Sequence, residues 1–257
     1  NVHDIEGSSG GVSYGISLSS LTTSITSYPQ CSDILVCNNI IKNVPAWEGL
    51  DTHCGKRISF VNNKIFDTKT GIMIGGGAYP YESSHNVVIG NTFISSLDLD
   101  AGVGITVNGE DGSNLSESTI VSNNYIYGYY DGIADYYTKN SKYIGNIVQQ
   151  AKRYGFYGYA DLVNVDISHN TFEDFEAGTG SGIFLSQAAT ATDTGRITDN
   201  YIDATGIDYG INTNESTAFI GIREYDNIVT GATTANIKYP GRLSFNVLAD
   251  NDSQATS

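Results

Sequence analysis

Glu48, Asp51 and His53 fall within one short run, Trp47-Glu48-Gly49-Leu50-Asp51-Thr52-His53. They are the groups acid–base chemistry needs: an imidazole that titrates near neutrality and two carboxyls to orient it or share its work. Two reactions can be drawn from them. In the first, a proton is removed from carbon beside a carboxylate. His53 is then base or acid, Asp51 sets its tautomer, and a tyrosine protonates a leaving oxygen, with Arg57 the nearest cation for the substrate carboxylate. In the second, Glu48 and Asp51, or one of them with Glu110 or Asp111, form the carboxyl pair that hydrolyses an acetal. Such a trio also occurs on strands as an ordinary solvated ion group, so the elements that carry it decide its meaning.

Those elements repeat. An asparagine followed two residues later by an apolar side chain occurs at Asn39, Asn63, Asn91, Asn124, Asn146, Asn170, Asn200 and Asn227. Three residues before most of them stands another inward candidate, from Val36 and Phe60 to Ile167 and Ile197. After each comes a glycine and an apolar residue, as in Gly49-Leu50, Gly71-Ile72, Gly104-Ile105, Gly132-Ile133, Gly155-Phe156, Gly182-Ile183 and Gly210-Ile211, with Gly15-Ile16 opening the series. The local alternation has period two and no helical stripe is sustained, so the units are short strands joined by polar bends. Strands returning at this interval predict an all-β solenoid of about eight to nine parallel coils. The asparagines would hydrogen-bond from coil to coil, and the glycines would permit the corners. An ordinary β-sandwich is the alternative, but sandwiches rarely keep one register over so many units.

On each glycine-led strand, alternation sends the first and third residues after glycine inward and the second and fourth outward. Glu48, Asp51 and His53 then share one outer face of one coil, with Trp47 beside them. Asp131, Tyr136, Tyr157 and Tyr159 fall on the same face three to four coils on, about 15 to 20 Å away, a span that suits several sugar rings. Asp135 reads as inward, which requires a partner or a bulge. Two insertions follow glycine-led strands: one runs Gly75 to Glu82 and carries Tyr79 and Tyr81, the other runs Asn108 to Asn114 and carries Glu110 and Asp111. Insertions in a solenoid emerge as loops that often wall a groove, which makes Tyr79, Tyr81 and Glu110 candidates for substrate contact, although Gly-Glu-Asp-Gly is most simply a turn. His3, His85 and His169 sit in bends or at the edge and read as structural.

The chain has 257 residues and carries 13 lysines and arginines against 28 acidic residues, a formal charge of −15. That surface disfavours nucleic acid and anionic membranes as partners. No apolar run is long enough to span a bilayer. The three cysteines do not suggest a disulfide framework. Loop carboxylates could take calcium, but no ligand run has the spacing, and the sequence demands no metal or cofactor. The chain opens in mid-repeat at Asn1, as a fragment of a longer solenoid would. Residues 1–240 carry the repeat, and 241–257 lose it and read as a cap, linker or the start of a further domain.

The asparagine-bend and glycine-strand pattern resembles the right-handed parallel β-helix of the pectate-lyase superfamily. Gly49-Leu50-Asp51-Thr52-His53 is similar to the Gly-Phe-Asp-Pro-His segment of β-helical mannuronan C5-epimerases, in which the aspartate and histidine belong to the active site; Asp51 and His53 match them. Asp131-Gly132-Ile133-Ala134-Asp135-Tyr136 resembles a second segment of that family, shortened by one residue. In that family this segment follows in the next coil, whereas here it comes three units on. The family's tyrosine before Gly-Phe-Asp is replaced by Trp47-Glu48. Trp-x-Gly-x-Asp-Thr-His also resembles coils of phage tailspike depolymerases. That resemblance implies a polysaccharide lyase or glycosidase acting on a bacterial capsular, O-antigen or uronate-containing polysaccharide. It also implies a homotrimer, and a place outside the cell or on a virion tail. The competing expectation is a non-catalytic β-helix that binds glycan or extends a fibre or adhesin.

Overall fold

The computed structural model describes residues 2–3, 13–18, 30–76, 82–97, 101–112, 114–186, 194–213, 221–238 and 245–248. Among the described residues there is no helix, and every pairing between strands is parallel. Each coil contributes a strand before its asparagine, a strand after it and the glycine-led strand, so the stack presents three faces. Rungs superpose residue on residue. On the glycine-led face, Ile16, Leu50, Ile72, Ile105, Ile133, Phe156, Ile183, Ile211 and Ile237 stand in register. From Leu50 onward these side chains are buried, together with the columns from Val36 to Ile197 and from Ile41 to Val229. These three interior columns carry most of the core, with Ile74, Val107 and Leu185 adding to it from the glycine-led strands; side chains meet across the interior within a coil, as Tyr143 and Phe156 do at 4.9 Å, and stack on the coils above and below.

The bend between the first two faces is the asparagine ladder. The Asn124 amide donates from its backbone N and from Nδ2 to Asn146 Oδ1 (3.1 and 2.9 Å), and Asn146 does the same to Asn170 (2.9 and 2.9 Å). Each buried Nδ2 also donates back to a carbonyl of the preceding coil, as Asn146 does to Val121. The series is unbroken from Asn39 to Asn227. The residue just before each ladder asparagine has positive φ: Asn38, Asn62, Gly90, Asn123, Gly145, His169, Asp199 and Asp226. Left-handed backbone tolerates glycine, asparagine, aspartate and histidine best, which explains the residue types there, His169 among them.

Asp135 does point inward. It is fully buried, accepts a hydrogen bond from Thr138 Oγ1 (3.0 Å) and faces the Tyr143 hydroxyl, at a register shift between Tyr136 and Thr138. Beyond residue 240, Phe245–Leu248 adds one more parallel strand against Gly221–Thr230.

Candidate active site

The glycine-led strand of the Trp47 coil is the second half of Ile40–His53. Pairing with Lys64–Gly75 slips between Val44 and Glu48, where Pro45, Ala46 and Trp47 stand opposite Lys69 alone. A bulge of this kind re-aims a side chain, and proline is tolerated there because the ladder is already broken. It lifts Trp47 to the face beside Glu48, and Lys69 Nζ lies 5.2 Å from the Trp47 ring centroid.

Glu48, Asp51 and His53 come together as the outward alternation requires, with donor atoms all within 4.8 Å of one another. Outward alternation alone would leave them solvated, and the structure differs. Glu48 is 3% exposed and Asp51 is 0% exposed. The preceding coil covers them: Tyr14 pairs with Glu48 and Ser17 with Asp51 in register. Ser17 Oγ donates to Asp51 Oδ2 at 2.7 Å, and His53 Nε2 lies 3.2 Å from Asp51 Oδ1. The His53 ring lies across Gly75 of the next coil, where a Cβ would come within 2.4 Å of Nδ1.

Burial, and then the charge of Asp51, raises the Glu48 carboxyl from its ordinary 4.5 to about 8, against the opposing pull of the Trp47 indole N–H and the Lys69 ammonium. Glu48 therefore carries a proton at neutral pH. Burial, followed by the charges of Glu48 and Asp51, also raises the Tyr14 hydroxyl. The group joins a protonated carboxyl, a carboxyl–imidazole pair and a phenol on one face, residue types that can donate and accept protons. The same three donors are spaced to hold a divalent cation, a capacity not read from the sequence. Tyr14 and Ser17 were missed there as well, although each stands in the outer column of Glu48 or Asp51 one coil earlier.

Arg57 is placed elsewhere. It lies in an exposed turn, where its Nε and Nη2 both donate to the Asp33 carboxylate (2.5 and 2.7 Å). Lys69 is the cation at the group. Glu110 and Asp111 are exposed and form the turn that runs to Asn114, in which Asp111 Oδ1 accepts from the Asn114 backbone N (3.0 Å). That turn begins just past Asn108, which continues the His53–Gly75 column. Tyr79 and Tyr81 lie outside the described residues.

Asp131, Tyr136 and Tyr157 do share the face of the group. The columns run Glu48, Thr70, Val103, Asp131, Tyr154; then Asp51, Met73, Thr106, Ala134, Tyr157, Phe184; then His53, Gly75, Asn108, Tyr136, Tyr159. Asp131 is 2% exposed and is gripped by Arg153, whose Nε and Nη2 donate to its two oxygens (3.0 and 2.6 Å). Burial raises the Asp131 carboxyl, and the Arg153 hydrogen bonds oppose it. The guanidinium lies 4.7, 4.5 and 5.4 Å from the ring centroids of Tyr130, Tyr154 and Tyr157. Tyr157 and Phe184 stack at 5.8 Å with planes 7° apart, and Tyr136 meets Tyr157 edge-on at 5.7 Å. The result is a half-buried aromatic platform around one fixed cation. Arg153, Tyr154 and Phe184 were not singled out in the sequence, although Tyr154 and Phe184 occupy its outer columns.

A parallel solenoid with a buried carboxyl–imidazole group and an aromatic platform on one face is the class of molecule this fold defines. The chain belongs to the right-handed β-helix family: residues 73–229 match the family's right-handed β-helix region. No curated protein matches the sequence. Among solved structures, a double-mutant form of the periplasmic alginate epimerase AlgG superposes with TM-score 0.62 at 16% identity, over 83% of this chain and 47% of that one. The catalytic unit of a thermostable GH87 alpha-1,3-glucanase from Streptomyces thermodiastaticus strain HF3-3 superposes with TM-score 0.53 at 13% identity, over 86% of this chain and 48% of that one. The chain thus spans about half the length of these structures, and the likeness is one of fold. No helix among the described residues is long and apolar enough to cross a membrane.

Proposed function

We propose that this chain is a carbohydrate-active β-helix that works on an acidic polysaccharide laid along the outer face of its glycine-led sheet. The observation that carries the proposal is the packing of Glu48, Asp51 and His53 within 4.8 Å, buried on a face where the repeat requires none of them. Burying two carboxyls costs stability, and such groups concentrate at sites of chemistry. Two β-helices of similar fold are named for alginate epimerisation and for alpha-1,3-glucan.

The geometry favours proton abstraction followed by elimination. His53, held by Asp51, removes the proton beside the sugar carboxylate. Protonated Glu48 or Tyr14 delivers a proton to the leaving oxygen, and Lys69 faces the carboxylate. Hydrolysis with inversion is disfavoured, because the Glu48 and Asp51 oxygens lie closer than the roughly 6.5–9.5 Å that admits a water between carboxyls. The tyrosine-rich, acidic composition and the Trp-x-Gly-x-Asp-Thr-His run further suit a depolymerase of phage tailspike type, extracellular or on a virion tail and trimeric. Purified capsular, O-antigen and uronate polysaccharides should be screened for chain shortening. Elimination produces an ultraviolet-absorbing unsaturated uronate, and hydrolysis produces reducing ends without it. If Asp51→Ala/His53→Ala shortens chains as fast as the parent, the assignment of the site fails. If no polysaccharide is turned over but one is bound, a non-catalytic glycan binder is the reading left.

A further inference from the structure

A second concave site lies on a different face, over the strands that precede the asparagines. Lys142, Asp166, Arg196 and Arg223 stand in register on four successive rungs and line a groove of about 760 Å³ together with Asn164 and Tyr225. Three cations against one carboxylate make this groove locally positive in a chain of charge −15. Asp166, 7% exposed, accepts from Arg196 Nη2 at 2.6 Å, and the Tyr225 hydroxyl bonds the same guanidinium, which stays 52% exposed along the groove. Arg196 and Arg223 are directly opposite on adjacent strands, about 4.8 Å apart at the backbone. Like charges so placed destabilise a sheet, and Asp166 offsets Arg196 from the rung before it, so the scaffold does not account for Arg223 beside them. An anion lying between the two guanidinium forks does.

We infer that this groove is an auxiliary binding site for an anionic saccharide chain running along the helix axis. A polymer with one carboxylate or sulfate per sugar offers charges at close to the rung spacing, so two adjacent units meet Arg196 and Arg223, and a third meets Lys142 two rungs from Arg196, past the rung that Asp166 occupies. Asn164 and Tyr225 add neutral polar groups to the lining, Tyr225 beside Arg196 and Asn164 beside Asn140. The saccharide class rests on the proposed function; the anion selectivity rests on the groove alone. The site holds a segment of polymer away from Asp51 and His53 and raises residence time without taking part in turnover.

The test uses the whole chain carrying His53→Ala, so that binding is read without turnover, with short oligomers of polygalacturonate and of alginate as probes in calorimetry at low and high salt. Affinity should fall at least about tenfold in Arg223→Ala and further in Lys142→Ala/Arg223→Ala, and should weaken with salt. These two variants leave the Asp166–Arg196 pair intact, so their melting temperatures should match the parent. A sulfated dextran probe separates sulfate from carboxylate preference, and unmodified dextran should not bind. Unchanged affinity in both variants, equal binding of unmodified dextran, or equal affinity for single-stranded DNA overturns the inference. Turnover in the His53 parent is scored separately: lost groove binding with normal turnover rejects only this site, and groove binding without turnover of any polysaccharide rejects only the catalytic reading.

Discussion

His53 Nε2 lies 3.2 Å from Asp51 Oδ1, while the other oxygen of Asp51 accepts from Ser17 at 2.7 Å. The carboxylate is thereby held between two partners, and it turns the opposite side of the imidazole across Gly75. Asp51→Asn keeps the shape and removes the charge that orients and stabilises the ring. Turnover of the acidic polysaccharide should fall by about 10²-fold or more, with a melting temperature close to the parent. Loss of both together would show Asp51 to be a structural residue.

Glu48 supplies a pH dependence whose sign is fixed. Its folded value is raised from 4.5 to about 8. The folded state therefore prefers the protonated carboxyl, and that contribution to stability is complete below about pH 4.5 and is withdrawn as pH rises through about 8. An activity that uses Glu48 as proton donor falls over the same upper limb. Glu48→Gln should flatten the alkaline loss of stability in melting curves recorded from about pH 5 to about pH 9, and should depress turnover at every pH.

Gly75 is a position where only the absence of a side chain serves. An added Cβ would stand 2.4 Å from His53 Nδ1 and 2.8 Å from Cε1. Gly75→Ala should push the ring from its place against Asp51 and cost activity with little change in melting, because His53 is half-exposed and can swing outward. Rotation of His53 is readable by the shift of its imidazole resonances, which a purely structural effect of the alanine would leave in place.

The ladder makes a separate prediction about stability. Asn146→Ala strips Asn124 of the acceptor for both its N and Nδ2, and removes the donor to Val121 and Asn170, all in the buried interior. Unsatisfied buried groups cost about 1–3 kcal/mol each, so the variant should lose about 3–5 kcal/mol in denaturant unfolding. Asn39→Ala, at a partly exposed rung, should lose about 1 kcal/mol. Equal losses at the two positions would mean that the ladder does not act through burial.

The repeat was legible because a solenoid writes its register into the chain. Each coil must place an asparagine, two apolar columns and a glycine at the same points, so Asn39 to Asn227 and Leu50 to Ile211 could be aligned by type alone. The outer columns followed from alternation, and they put Glu48, Asp51 and His53 together and Tyr136 beside Tyr157. Burial was not legible, because an outward side chain is exposed only if its neighbours are short. Tyr14 and Ser17 from the coil before, and the bulge at Pro45–Trp47, bury Glu48 and Asp51. Nor did proximity in sequence choose the cation: Arg57 is four residues from His53, yet Asp33 engages it in a turn, while Lys69 arrives from the next coil. Arg153 was missed for a similar reason, since its partner Asp131 stands one coil away.

That partnership yields the remaining prediction, about substrate hold. Arg153 is bound through two nitrogens to buried Asp131 and lies against Tyr130, Tyr154 and Tyr157. The platform sits three to five rungs from Asp51, so under the proposed function it would touch sugars beyond the reacting one and contribute binding shared by ground and transition states. Tyr157→Ala removes the ring that meets Arg153, Tyr136, Tyr154 and Phe184 at once. It should raise KM for a long polymer by about tenfold with kcat nearly unchanged, and leave the shortest cleavable oligomer unaffected. Arg153→Lys keeps a charge against Asp131 but loses the planar fork and its stacking, and should act in the same direction. Arg153→Ala is the poorer probe, because it strands the buried Asp131 and confounds binding with stability. A fall in kcat with unchanged KM in Tyr157→Ala would move the platform into the reacting centre and displace Glu48, Asp51 and His53 from it.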